Sequence, residues 1–152
     1  GEIQGGKGSM TDAGTHVAFV ANWKNHIKPN TIIDSPISFS DVMPTIGEAT
    51  GSPIPKTSDG RSFLPQLKGN AKNARDWIFM SYSKNGLKKA PYRCFVRDQR
   101  WKLYSDGTLY DVPNDWLEES PATGPEADKA RRRLQATLDR IINDAPQGQI
   151  QF

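Results

Sequence analysis

The chain has 152 residues, enough for one hydrophobic core or for one small domain with appended segments. Its composition, 36% hydrophobic and 24% charged, excludes a disordered polymer, and no apolar run approaches the roughly 20 residues that span a bilayer. The net charge is only +3, and the run Arg131, Arg132 and Arg133 is typical of a solvated helix face. Neither a nucleic acid nor a membrane is therefore expected as a partner.

A glycine-flanked lysine lies near the start of the chain, in the segment GGKGSMTDAGTH of residues 5–16. Glycine lets a backbone approach a ligand closely and lysine presents a mobile cation, so the segment predicts an anion near Lys7. Residues 1–7 match most of a P-loop, but Gly8 stands where that motif needs a Mg²⁺-binding hydroxyl. The sequence therefore disfavours nucleotide binding.

The first two predicted elements follow this segment. The apolar run of residues 16–23 predicts a buried strand. Residues 40–50 predict a helix with Ser40 as its N-cap, Pro44 in its first turn and Gly51 at its C-terminal end. The inward stripe of this helix would be Val42, Ile46 and Ala49.

A proline-rich connection then leads to a short helical element. Residues 52–60 are the connection, and residues 62–67 predict a helical turn that Gly69 ends. Residues 70–75 are polar and mark the best candidate for a domain boundary.

Beyond this boundary the pattern changes to short strands joined by tight turns. Residues 98–100 and 105–107 have favoured lengths for hairpin turns, the second with Gly107 where a positive φ is needed. An antiparallel meander is the natural assembly of the four strands, which are predicted at residues 77–83, 92–97, 101–104 and 108–111.

The last predicted element is a helix over residues 125–143 that covers the apolar face of the sheet. Asp128 is expected to pair with Arg132 one turn later, and the tail after Pro146 is expected to be loose. The helix carries one apolar stripe, formed by Ala127, Ala130, Leu134, Leu138 and Ile141.

Isolated reactive residues carry little chemistry by themselves. Cys94 is the only cysteine, which excludes an intrachain disulfide and a cysteine-based zinc site, and its place in a predicted strand favours unreactive packing. His16 and His26 are ten residues apart without a carboxylate pattern, so neither a metal site nor a catalytic triad is indicated. Asp111 and Asp115 are more typical of turns than of a catalytic pair.

Four blocks, taken in order, resemble the sulfatase family. They are GGKGSMTDAGTHVAFVANW, with a lysine in a Gly-Lys-Gly turn before a strand; SFSDVMPTIGEATG, an aspartate-led helix; SDGRSFLPQLKG, similar to the family stretch DG-x-S-L-x-P-x-L-x-G; and RCFVRDQRWKLYSDGTLYDVPND, similar to paired strands ending in LYDL-x-x-D. The blocks cover residues 4–115, and the resemblance implies the C-terminal portion of a sulfatase.

The resemblance implies an α+β fold in two parts. Residues 1–70 would be the tail of the α/β, alkaline-phosphatase-like catalytic domain. Residues 71–152 would be the C-terminal subdomain, a four-stranded antiparallel sheet covered by a C-terminal helix.

The resemblance also implies the chemistry. Sulfatases hydrolyse sulfate esters with a formylglycine made in a C/S-x-P-x-R motif, beside a Ca²⁺ held by acidic residues and an asparagine. No formylglycine is expected within this chain, because Cys94 lies in Cys-Phe-Val-Arg, without the central proline. No calcium site is expected either, because the resemblance places the Asp-Asn-Gly that completes it upstream of the Gly-Lys-Gly turn, before residue 1. Lys7 matches the family lysine that contacts the sulfate and stabilises charge on the departing oxygen, with Gly6, Gly8 and His16 as substrate-binding positions.

Two other interpretations remain open from the sequence. The chain is either a stand-alone, non-catalytic binding or oligomerisation module, or part of a related phosphate-ester hydrolase, since a lysine neutralises either anion. A separated domain exposes apolar surface and strand edges, so self-association is expected. Sulfatases are often exported, but no export signal is visible in this sequence.

Overall fold

The computed structural model describes residues 5–70, 74–82 and 93–144. In chain order its helices are α1 (Asp12–Thr15), a 3₁₀ turn (Phe39–Asp41), α2 (Val42–Thr50), α3 (Leu64–Leu67) and α4 (Pro125–Asp144). Its strands are β1 (Ile78–Tyr82), β2 (Arg93–Arg97), β3 (Trp101–Tyr104) and β4 (Leu109–Asp111). The predicted loose tail after Pro146 lies outside the described residues.

The four strands form one sheet in the order β1-β2-β3-β4, which confirms the predicted meander. Neighbours β2 and β3, and β3 and β4, are antiparallel, with Phe95 opposite Tyr104 and Leu103 opposite Leu109. Gly107 has φ +83°, so the second turn uses glycine as the sequence predicts. The sheet forms because each turn is short and each strand carries apolar residues that can be buried.

Helix α4 packs against β2 and β3, so the predicted helical cover is confirmed. Its buried side chains are Ala127, Ala130, Leu134 and Leu138. Asp128 pairs with Arg131 at 2.6 Å rather than with the predicted Arg132. Arg131 also donates to the Ala122 carbonyl at 2.9 Å, and this second bond holds its guanidinium on the Asp128 side of the helix.

The opposite face of the sheet is covered as well, which the sequence did not predict. Side chains alternate along a strand, so Phe95, Lys102 and Tyr104 share the face away from Cys94 and Leu103. Met10 packs on that face against Phe95 and Tyr104. The segment around Met10 therefore closes a second layer over the sheet, and all four residues of β3 are buried.

The described contacts divide the chain into two compact units. One contains residues 5–18 together with the sheet from Phe79 onward and α4, and the other contains Phe19–Ile78. The assignment of residues 1–70 and 71–152 to two domains of a complete sulfatase is a different statement and stays a prediction.

The predicted strand at residues 16–23 is wrong. The structure has no regular secondary structure there, and Val17, Phe19 and Val20 are exposed. An apolar run becomes a strand only when another strand pairs with its backbone groups, and no described strand lies beside this segment.

The helix predicted at residues 40–50 begins differently from the prediction. Ser38 caps a 3₁₀ turn that precedes α2, and Asp41, not Ser40, stands at the N-cap position of α2 itself. The end is as predicted, with Gly51 at φ +69°. The predicted inward stripe is also wrong, since Pro44, Thr45 and Gly47 are buried whereas Ile46 is exposed.

Asp41 explains this orientation of α2. Its carboxylate is buried and accepts from the Ser38 and Arg61 amides at 2.9 and 2.7 Å. Arg75 donates to both carboxylate oxygens, at 2.8 and 2.5 Å. Thr45, one turn after Asp41 on the same side of the helix, adds a further polar bond, since its hydroxyl accepts from the Phe63 amide at 3.0 Å. These polar bonds turn the Asp41 side of the helix inward and leave Ile46 outside.

The Asp41 cluster should make the Phe19–Ile78 unit sensitive to acid. Burial raises the pKa of Asp41, but the bonds from Arg75, Arg61 and Ser38 outweigh it and hold the pKa below its ordinary value of 3.8. The unfolded chain therefore takes up the proton first, so stability is full above pH 3.8 and is lost as the pH falls towards the folded pKa. Urea unfolding at several pH values in this range measures how steeply the free energy of unfolding falls with pH.

Asp41→Asn should lower the free energy of unfolding by about 3 kcal/mol at neutral pH, because it leaves Arg75 without its charge partner. It should also make the free energy of unfolding depend less on pH in the acid range. Asp59→Asn, which alters an exposed carboxylate of the same unit, should stay within about 0.5 kcal/mol of the parent at neutral pH. An unchanged acid slope in Asp41→Asn would contradict the assignment.

Candidate functional site

Lys7 lies in an exposed turn whose backbone is closed by a hydrogen bond. The Ser9 amide donates to the Gly6 carbonyl at 2.7 Å, and Gly8 has φ +84°, a conformation that favours glycine. Within the described ranges the Lys7 ammonium has no hydrogen-bond or ion-pair partner. The turn therefore presents an exposed cation, together with both flanking glycines of the predicted site.

This turn is bonded to α1. The Gly6 amide donates to the Ala13 carbonyl at 3.0 Å. A Cβ at Gly14 would lie 2.3 Å from the Ser9 carbonyl oxygen and 2.4 Å from that of Gly6. Only glycine permits so close an approach, and the approach folds residues 6–16, here named the lysine loop, onto itself.

His16 ends the lysine loop. Its ring is 70% exposed, and its Nδ1 lies 3.2 Å from a carboxylate oxygen of Asp12. The other oxygen of Asp12 accepts from Arg97 on β2. The structure thus brings the four predicted site positions, Gly6, Lys7, Gly8 and His16, into one loop, with an exposed imidazole at its end. Their roles in substrate binding stay predictions.

Below the lysine loop lies a buried polar cluster. Lys102 Nζ donates to Glu118 Oε1 at 2.7 Å, and the two side chains are 0% and 2% exposed. The Asp12 amide donates to the same oxygen at 2.8 Å, and the Tyr104 hydroxyl donates to the other oxygen. Lys102 also donates to the carbonyl of Met10, and the Tyr104 hydroxyl lies 2.9 Å from that carbonyl, so Met10 and Glu118 share its single proton. We call Lys102, Tyr104 and Glu118 the buried polar triad.

Burial shifts the pKa of two members of the triad. Desolvation lowers the pKa of Lys102, and the hydrogen bond that Lys102 donates to Glu118 opposes part of that shift. Burial, together with Glu118, raises the pKa of Tyr104 well above its usual value. Tyr104 therefore stays protonated at neutral pH and keeps its hydrogen-bond donor.

Sequence reasoning missed the triad as well as Asp12 and Arg97. One signal was present, since Lys102 stands in the middle of the otherwise apolar strand Trp-Lys-Leu-Tyr. Glu118 gave no signal, because it lies in an irregular segment with φ +59°, and its partners are 14 to 106 residues away.

Cys94 is fully buried, as expected for unreactive packing. Burial raises the pKa of its thiol, which disfavours the nucleophilic thiolate.

The calcium that the family resemblance implies has no ligand set among residues 5–70, 74–82 and 93–144. No group of three or more His, Cys, Asp or Glu side chains in these ranges is placed to hold a metal ion. In the same part of the chain, no helix is both long and apolar enough to cross a membrane.

Comparison with known proteins identifies the family. The family described as "N-sulphoglucosamine sulphohydrolase, C-terminal" matches residues 6–144. The chain belongs to this sulfatase family. The match begins at Gly6 and so includes the whole lysine loop and the sheet with α4.

Individual sulfatases support the same identification. The ulvan-active sulfatase of Formosa agariphila is 34% identical over 119 residues, which are 76% of this chain and 24% of that protein. A solved 2-O GAG sulfatase superposes with a TM-score of 0.55 at 26% identity, over 68% of this chain and 24% of its own. The chain thus spans about a quarter of the length of these sulfatases.

A third structure shows the fold alone. The phosphonate monoester hydrolase of Silicibacter pomeroyi superposes with a TM-score of 0.62 at 23% identity, over 80% of this chain and 28% of that one. Together with the sulfatase structures it confirms the predicted fold, a four-stranded antiparallel sheet with a C-terminal helix in proteins of alkaline-phosphatase-like architecture.

The close approach at Gly14 predicts a sensitive position in this sulfatase chain. Gly14→Ala should destabilise the residue 5–18 and 79–144 unit by about 1–3 kcal/mol, because the new methyl overlaps two carbonyl oxygens. Gly5→Ala is the matched control, with nothing within 4 Å of its Cβ, and should change stability by less than about 0.5 kcal/mol. Denaturant unfolding followed by tryptophan fluorescence compares the two, and equal effects would contradict the structure of the loop.

Proposed function

We propose that this chain is the C-terminal portion of an enzyme that hydrolyses sulfate esters, and that Lys7 contacts the sulfate there. The family match over residues 6–144 carries the proposal. The exposed ammonium of Lys7, which has no partner among the residues that the structure describes, lies in a glycine turn and supports the role of this residue.

The proposed role follows from the charge that develops during the reaction. Cleavage of a sulfate ester moves negative charge onto the bridging oxygen, and a fixed cation beside that oxygen stabilises the transition state more than the ground state. The glycines on both sides of Lys7 keep bulk away from the anion. His16 would contact the substrate from the other end of the lysine loop.

The chain by itself should be inactive, because it has no C/S-x-P-x-R motif for the formylglycine nucleophile. Incubation with an aryl sulfate and Ca²⁺ should release no phenol above the rate in buffer. The contradicting result is turnover that co-purifies with the chain and disappears in Lys7→Met, since a contaminating sulfatase would not respond to that substitution.

Exposed apolar side chains in the Phe19–Ile78 unit support the proposal that this chain is one part of a larger structure. Val20 is 90% exposed, Ile32 87% and Phe39 82%. One exposed apolar side chain is ordinary, but eight of the eleven large apolar side chains that are exposed in the described residues fall in this unit, and such a concentration is typical of a surface that protein covers. We propose that in a complete sulfatase the catalytic domain covers them, and that in this chain they drive self-association.

Light scattering tests that proposal. The 16.9 kDa chain should run as a dimer or larger species, and a Val20→Ser, Ile32→Ser double variant should shift it towards a monomer. Arg132→Ser, on the exposed face of α4, is the control and should keep the mass of the parent. A clean monomer in the parent would favour the second candidate, a stand-alone non-catalytic module.

A further inference from the structure

We propose that the buried polar triad positions the cation of Lys7. The proposal rests on the proposed function, in which Lys7 contacts sulfate, and names Lys102, Tyr104 and Glu118 as positioning residues for it. All three lie in β3 or the segment after β4, remote in sequence from the lysine loop.

The triad binds the backbone of the lysine loop rather than its side chains. Met10 contributes its carbonyl, which accepts from Lys102 Nζ and, at 2.9 Å, shares the single Tyr104 hydroxyl proton with Glu118. Asp12 contributes its amide, which donates to Glu118 at 2.8 Å. The triad thus forms hydrogen bonds with backbone groups on both sides of Thr11, at the start of α1.

From α1 the restraint reaches the lysine turn through two further bonds. The Ala13 carbonyl accepts from the Gly6 amide at 3.0 Å, and the Gly6 carbonyl accepts from the Ser9 amide at 2.7 Å. Gly14 packs directly on the carbonyl groups of Gly6 and Ser9. At the other end of the turn, the Ser9 hydroxyl accepts from the Thr11 amide at 3.0 Å. Lys7 therefore stands on a turn whose two ends, Gly6 and Ser9, are bonded to the segment that the triad holds.

The energetics favour positioning over simple stabilisation. Burying an ammonium and a carboxylate costs several kcal/mol per ion, and apolar residues of similar volume often stabilise a core at least as well. A buried ion pair aimed at loop backbone groups instead selects one conformation of that loop. A cation misplaced by about 1 Å at a reacting centre costs on the order of 10²-fold in rate, so such selection has a chemical use.

Tyr104→Phe tests the proposal with the smallest change, since it removes one hydroxyl and keeps the ring that packs on Phe95. In ¹⁵N-labelled full chain, amide exchange at Gly6 and Ser9 should rise about tenfold while β2 and β3 amides keep their protection. Titration with inorganic sulfate, followed by the Lys7 side-chain resonances, should show about tenfold weaker binding. Tyr110→Phe, whose ring packs edge-on against Tyr104, is the matched control and should change neither measurement.

The outcomes separate this proposal from the proposed function. One outcome is that sulfate leaves the Lys7 resonances of the parent unshifted while Tyr104→Phe still raises amide exchange at Gly6 and Ser9. In that case the proposed sulfate contact is wrong, and the proposal that the triad positions the turn is supported. If exchange in the loop and in the sheet rise together, the triad is only structural and the proposal is overturned. Glu118→Gln, which removes the charge at nearly constant volume, repeats the test, and a lysine loop that stays protected in both variants also overturns it.

Discussion

The hydrogen-bonded ion pair between Lys102 and Glu118 is the interaction on which the arrangement of this chain depends. Both side chains are buried, so neither charge is tolerable without the other, and their remaining bonds go to Tyr104, Met10 and Asp12. A sheet of four short strands has two faces to cover, and α4 covers one. The lysine loop covers the second face, and the ion pair bonds to the loop backbone at Met10 and Asp12.

The same physical device appears in the other compact unit. Asp41 is buried and gathers bonds from Ser38, Arg61 and Arg75, which are up to 34 residues away. In each unit a buried carboxylate holds irregular backbone that has little apolar surface of its own. Irregular segments leave amide and carbonyl groups without partners, and a charged oxygen satisfies several of them at once. This explains how so much of the chain is ordered outside helices and strands.

The local elements were predictable to within a residue or two where their signals are local. The turns at Asp98–Arg100 and Ser105–Gly107 and the apolar stripe of α4 each depend on neighbours within one or two turns of chain. Both turns were confirmed, and so were four of the five stripe residues, whereas Ile141 is only half-buried. The strand predicted at residues 16–23 and the inward stripe of α2 were wrong. The first needs a neighbouring strand to pair with, and the second was decided by Asp41, whose partner Arg75 is distant in sequence.

The sequence by itself determined the sulfatase resemblance, the meander with its covering helix, and the glycine turn that carries Lys7. Each of these features depends on residues that are close together in the sequence. Only the tertiary structure decided which charges are buried, and therefore what holds that turn. The free energy of a charge depends on the solvent and partners around it. For Glu118 those partners include the Asp12 amide, 106 residues away, and no pattern of adjacent residues encodes that distance.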